Sequence, residues 1–139
     1  MTDLIKWEHK DEWHQRGEHF LVVVKHYTVE PSPFDPVTGP HHWNVYAYIY
    51  PQHRWFSEFS EFSGPEMYQP ATRNLLLYAG PSFLRWHYDD DGTPTSVQVG
   101  FDYAHLRDDQ FSHYATPEDA VGVFLDAEQL ITYLTPPSE

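Results

Sequence analysis

The sequence predicts an α+β fold, an antiparallel sheet of about four strands with one C-terminal helix packed on it. Three observations carry this. Residues 19–29, HFLVVVKHYTV, form a β-branched run. Residues 43–51, WNVYAYIYP, alternate in hydropathy with a period of two. Residues 115–134 carry the signals of a capped amphipathic helix. The strands come first and the helix last, with no β-α-β alternation, which points to antiparallel pairing. The 139 residues suit one domain.

Each element has its own local reason. Residues 1–17 mix charges with isolated aromatics and are expected to be loosely ordered, ahead of the first strand. Residues 30–42 hold four prolines and a glycine, which rules out a helix or a central strand and leaves a long connecting loop. In the second strand Val45, Ala47 and Ile49 fall on one face and Tyr46, Tyr48 and Tyr50 on the other. Residues 52–74 are aromatic and irregular, broken by Pro65 and Pro70, and read as a loop packed down by Trp55, Phe56, Phe59 and Phe62. A third strand follows in 75–89, kinked at Gly80-Pro81. Asp89, Asp90, Asp91 and Gly92 make a hairpin turn into a fourth strand, with Val97, Val99 and Phe101 on one face. The helix begins with Thr116 as N-cap and Pro117 at the first helical position, with Glu118 and Asp119 in the first turn. Its apolar stripe is Ala120, Val123, Phe124, Ala127, Leu130, Ile131 and Leu134, and Pro136-Pro137 stops it.

Charge narrows the function classes. There are 21 Asp and Glu against 8 Lys and Arg, a net charge of −13. Residues 86–139 hold eleven of the acids and one base, Arg107, for −10. Such a surface repels nucleic acid directly. It attracts a basic partner, including a protein surface built to hold DNA or RNA. With no cysteine there are no disulfides, zinc–thiolate sites or thiol nucleophiles. No run approaches the ~18 apolar residues of a membrane span. The N-terminus lacks a secretory pattern, so a cytoplasmic setting is expected.

Ten histidines are the chemistry-bearing excess, and none shows the paired helix spacing of a metallohydrolase. The triple acid at 89–91 lacks the alternating ligands and distal Glu of a calcium loop, so turn chemistry is its reading. The stretch GFDYAHLRDDQF, 100–111, spaces Asp102, His105 and Asp108 three apart. Two readings stay open there. Asp102 is a cap at a strand end. Alternatively Asp102, His105 and Asp108 converge with His53 on a divalent metal, with positions open for substrate. Tyr46, Tyr48 and Tyr50 form a second candidate, as interface anchors or as a core layer with hydroxyls at its rim.

In the segments YAYIYPQHRWF, YAGPSFLRW and GFDYAHLRDD, followed by the final helix, the chain resembles small bacteriophage and prophage proteins of uncharacterised activity. These carry a strand ending in Pro with a nearby His, a His-Gly-Gly strand, a Gly-Phe-Asp-x-Ala-His element and a Glu-containing C-terminal helix. Pro51, His53, Gly80, Gly100, Phe101, Asp102, Ala104 and His105 carry the likeness, which covers residues 43–134. It departs at Tyr78-Ala79-Gly80, where the His and first Gly are missing. The resemblance implies a phage accessory origin and supplies no activity.

The leading expectation is therefore an interaction protein, not an enzyme, that binds and inhibits a basic nucleic-acid-handling host protein, as anti-restriction and anti-CRISPR inhibitors do. Its expected surface comprises Tyr46, Tyr48, Tyr50, Asp89, Asp90, Asp91, Asp108, Asp109, Glu118 and Asp119. No cofactor is expected on this reading. The alternative is a small metal-dependent hydrolase or nucleotide-binding protein centred on His53, Asp102, His105 and Asp108.

Overall fold

The computed structural model describes residues 7–9, 12–30, 33–34, 39–59, 83–103 and 109–135, with 9, 109 and 110 by backbone alone. The architecture is α+β: among the described residues, one antiparallel sheet is covered on one face by one α-helix. Six strands are described. They are β1 (Glu8–His9), β2 (Trp13–Gly17), β3 (Phe20–Thr28), β4 (His41–Ile49), β5 (Phe83–Tyr88) and β6 (Pro94–Asp102), in the spatial order β1-β2-β3-β4-β6-β5. The helix α1 is Val121–Leu134.

The count of about four strands is short by the two N-terminal ones, which lie where loose order was expected. Their anchor is aromatic. Trp13 stacks on Trp43 at 5.8 Å between ring centroids and meets Phe124 edge-on at 5.5 Å. Trp7 reaches the same Phe124 at 5.5 Å. Two tryptophans bury enough apolar area to hold a short hairpin whose other side chains are polar. The β2–β3 turn has only two residues, because Gly17 pairs with Phe20. His19 takes φ 65° in that turn, a region that His tolerates better than most residues. Gly17 is required by close approach: a Cβ there would lie 2.0 Å from Phe20 Cζ. Phe20 is 1% exposed and cannot swing away. Gly17→Ala is expected to cost about 1–3 kcal/mol, as overpacking does, and to lower the denaturation midpoint in urea without changing the slope.

β3 and β4 pair over nine residues, from Phe20↔Ile49 to Thr28↔His41. That register settles the faces. Phe20, Val22 and Val24 share one side with Trp43, Val45, Ala47 and Ile49, and all are buried. Val97, Val99 and Phe101 of β6 extend the same layer. Across it lies α1, whose Val123, Phe124, Ala127, Leu130 and Leu134 are buried together with Ala120. This is the predicted stripe, with Ile131 partly buried at its margin.

The regular helix starts later than expected. Thr116 Oγ1 accepts the Asp119 N–H at 3.2 Å, and the Ala120 N–H bonds the Thr116 carbonyl at 3.0 Å. These bonds close a separate turn. Ala120 then leaves helical geometry at φ −93°, ψ 31°, and α1 begins at Val121. Glu118 and Asp119 thus precede the helix and do not sit in its first turn. The predicted stop at Pro136-Pro137 lies outside the described residues. At the observed end the Thr135 N–H and hydroxyl both bond the Ile131 carbonyl, at 2.9 and 2.7 Å. Among the described residues no helix is long and apolar enough to cross a membrane.

Candidate functional site

His53 follows β4 and is 4% exposed. Its two ring nitrogens are both engaged. Nε2–H donates to the Leu134 carbonyl at 2.8 Å, and Nδ1 accepts the Trp55 N–H at 3.1 Å. The imidazole therefore ties the post-β4 turn to the last turn of α1, 81 residues away in sequence. Phe20 and Trp55 flank the ring edge-on. A nitrogen lone pair already used by a backbone N–H is not available to a metal.

Asp102 lies elsewhere. It ends β6 opposite Asn44, near the start of β4, whereas His53 lies beyond the end of that strand. Five residues of strand from Asn44 to Ile49 alone span roughly 17 Å. Asp102 also shares the face of Asn44 and Tyr46, while His53 packs on the helix side. The structure does not bring these two together. His105 and Asp108 lie outside the described residues. Among the described residues there is no group of three or more His, Asp or Glu side chains arranged to hold a metal ion.

The acidic turn is built as turn chemistry requires. Asp89 Oδ1 accepts the Asp91 and Thr93 N–H groups at 2.9 and 3.0 Å, and Gly92 supplies φ 81°. Asp90 and Asp91 are exposed beyond it. Glu118 and Asp119 are exposed too, but at the other end of the molecule. The 89–92 turn adjoins the β6 start, beside the end of β4. The chain before α1 lies by the start of β4, where Trp43 Nε1–H bonds the Tyr114 carbonyl at 2.9 Å. Asp109 opens a 3-10 helix, Asp109–His113, described there by its backbone.

Tyr46, Tyr48 and Tyr50 are half-buried, with Tyr46 and Tyr48 on the sheet face away from α1. Tyr46 lies across Gly100, where a Cβ would come within 2.5 Å of its ring, and meets Phe83 edge-on at 5.4 Å. Its hydroxyl accepts from Asn44 Nδ2 at 3.0 Å. Tyr48 leans on His87 at 5.8 Å. Burial raises the pKa of both hydroxyls above the ordinary value, so they stay protonated and able to donate. The same face carries cations. Register aligns Arg16, Leu21, Tyr48, Gln98 and Arg85 in one row across five strands, with Lys25 in another beside Asn44. α1 by contrast carries Asp126 and Glu128 and no Lys or Arg. The tyrosines and the helix-side acids therefore occupy opposite faces and form two surfaces.

A histidine pair that the spacing alone did not single out closes the proline-rich loop. His26 Nε2 and His41 Nδ1 are 2.8 Å apart. Their centroids are 5.1 Å apart and their planes 18° off parallel, as expected for rings meeting nitrogen to nitrogen in one plane. The contact is thus an in-plane hydrogen bond, one nitrogen donating and the other accepting. Trp43 lies over His26 at 4.5 Å. The β3–β4 register places His41 diagonal to His26, a signal readable only once that register is drawn. Burial, and then the neighbouring His41, lower the His26 pKa below its ordinary value. A base with a lowered folded-state pKa binds more protons when unfolded. Its stabilisation is present above the unfolded value of about 6.5 and fades as pH falls toward the folded value. Chemical denaturation between about pH 7.5 and 5 should show this loss, and His26→Gln should flatten it.

Comparison with protein families, with curated proteins and with solved structures finds no match.

Proposed function

We propose that this is an acidic interaction protein of phage or mobile-element type that occupies the nucleic-acid-handling surface of a basic host protein. One observation carries the reading. Beyond Arg107 the chain has seven acids and no Lys or Arg, and four of these acids, Glu118, Asp119, Asp126 and Glu128, belong to the helix and its leading turn. A surface of one sign steers and holds a surface of the other. Asp126 also serves the fold, accepting the Tyr103 hydroxyl at 2.6 Å. The other three lie outside that bond. The Gly100-Phe101-Asp102 element followed by Ala104-His105 supports the phage origin by resemblance.

The test is capture from a bacterial lysate at two salt concentrations. At about 0.1 M salt charges act over ~10 Å, and at about 1 M over ~3 Å. A basic nucleic-acid-binding protein should be retained at the lower concentration and released at the higher. Recovery of no such protein at the lower concentration would sink the reading.

A further inference from the structure

The sheet face away from α1 carries three unused hydrogen-bond donors in one row. β6 lies between β4 and β5, and register places Tyr48 and Arg85 on either side of Gln98. Gln98 is 8% exposed and held in place. Its Oε1 takes a hydrogen bond from His87 Nε2–H at 2.8 Å, since a carbonyl oxygen only accepts. Among the described residues both N–H groups of that amide stay unused, and the amide nitrogen is not sealed from solvent. Arg85 is exposed and Tyr48 half-buried. Neither makes a side-chain hydrogen bond or an ion pair among the described residues. Burial, and after it Glu12, raise the Tyr48 pKa while Arg85 lowers it, so the hydroxyl keeps its proton within electrostatic reach of the guanidinium. Neighbouring strands lie ~4.8 Å apart. Gln98, the shortest of the three side chains, forms the floor of a shallow cleft, with Tyr48 and Arg85 as its walls.

Acids are sparse around this row. The outward positions of β4 and β5 hold none. Asp102 of β6 and Asp89 just beyond β5 are each four residues of strand from it, roughly 13 Å. Glu12 is the acid that acts on Tyr48, and its carboxylate bonds His14 Nε2 at 3.3 Å. A guanidinium fork, an amide N–H and a phenol O–H on three adjacent strands specify an anion with more than two oxygens. The fork alone occupies an edge of two oxygens. A carboxylate then has none left for the other strands, whereas a phosphate keeps a third and a fourth. We propose that Tyr48, Gln98 and Arg85 bind a phosphate group, free or at the end of a small ester. The site lies on the face opposite the helix-side acids and does not depend on them.

The test is an NMR titration of the isotope-labelled whole protein with inorganic phosphate, with adenosine monophosphate and with acetate, at about 0.1 M ionic strength. Phosphate should shift the Gln98 side-chain amide and Arg85 Nε–H resonances saturably, at several-fold lower concentration than acetate. Tighter binding of the nucleotide would assign the site to an ester, and equal or weaker binding to free phosphate. Read at the Gln98 amide, Arg85→Gln should weaken phosphate about 10-fold and Tyr48→Phe about 5-fold, as for a lost charged and a lost neutral hydrogen bond. Arg85→Lys keeps the charge and loses the fork, and should still weaken it several-fold. Glu12→Gln should tighten it about 2-fold by removing a like charge. Lys25→Gln, the same charge change as Arg85→Gln at an exposed position of the same face, should alter it less than about 2-fold. No saturable shift with phosphate, acetate binding as tight as phosphate, unchanged binding by Arg85→Lys or Tyr48→Phe, or equal losses in Lys25→Gln and Arg85→Gln would each overturn the site.

Discussion

Phe124→Ala should cost about 3–5 kcal/mol of folding free energy, the largest loss expected from any single substitution considered. Phe124 is fully buried and faces three tryptophans at once, Trp7, Trp13 and Trp43, at 5.5, 5.5 and 6.0 Å. Removing the ring takes away its transfer free energy and leaves a void that rigid indoles cannot collapse into. The loss should also be local. Trp7 and Trp13 anchor β1 and β2, so amide exchange in those strands should accelerate before exchange in β4 and β6. Equilibrium denaturation gives the magnitude and hydrogen exchange its distribution. A loss below about 1 kcal/mol would contradict the packing described, since surface positions behave that way.

His53→Ala should cost about 3 kcal/mol. Two buried backbone groups lose their partners, the Trp55 N–H and the Leu134 carbonyl, and each unsatisfied group costs roughly 1–3 kcal/mol. Partial replacements separate the two bonds. The Gln amide nitrogen can replace Nε2 and recover the bond to Leu134. The Asn carbonyl can replace Nδ1 and recover the bond from Trp55. Each should restore part of the loss. A ligand-binding histidine behaves differently, because its removal commonly leaves stability intact or improves it. Stability unchanged by His53→Ala would therefore return that residue to the list of candidate ligands.

Patterns local in sequence were legible. The alternation of Val45, Ala47 and Ile49 with tyrosines placed both faces of β4. The stripe from Ala120 to Leu134 placed the buried side of α1. The turn at Asp89 followed from Asp and Gly chemistry. What stayed hidden depends on partners far along the chain. β2 has Trp13 as its one large apolar residue, and only Trp43 and Phe124, distant in sequence, explain why it is a strand. His53 looked like a ligand because its acceptor, the Leu134 carbonyl, belongs to an element packed on from elsewhere. The His26–His41 bond exists only in one register of β3 against β4. The separation of tyrosines from helix-side acids needed the layer order, since alternation alone does not say which face the helix covers.

On the proposed function, the acidic helix side competes with nucleic acid for a basic protein. The most direct measurement is release of the captured lysate protein by duplex DNA at about 0.1 M salt, where surface charges still act over ~10 Å. Duplex DNA should displace that protein in proportion to its concentration, and a variant neutralising Glu118, Asp119 and Glu128 should capture far less of it. A captured protein that stays bound in excess DNA, and binds the neutralised variant equally well, would contradict the claim.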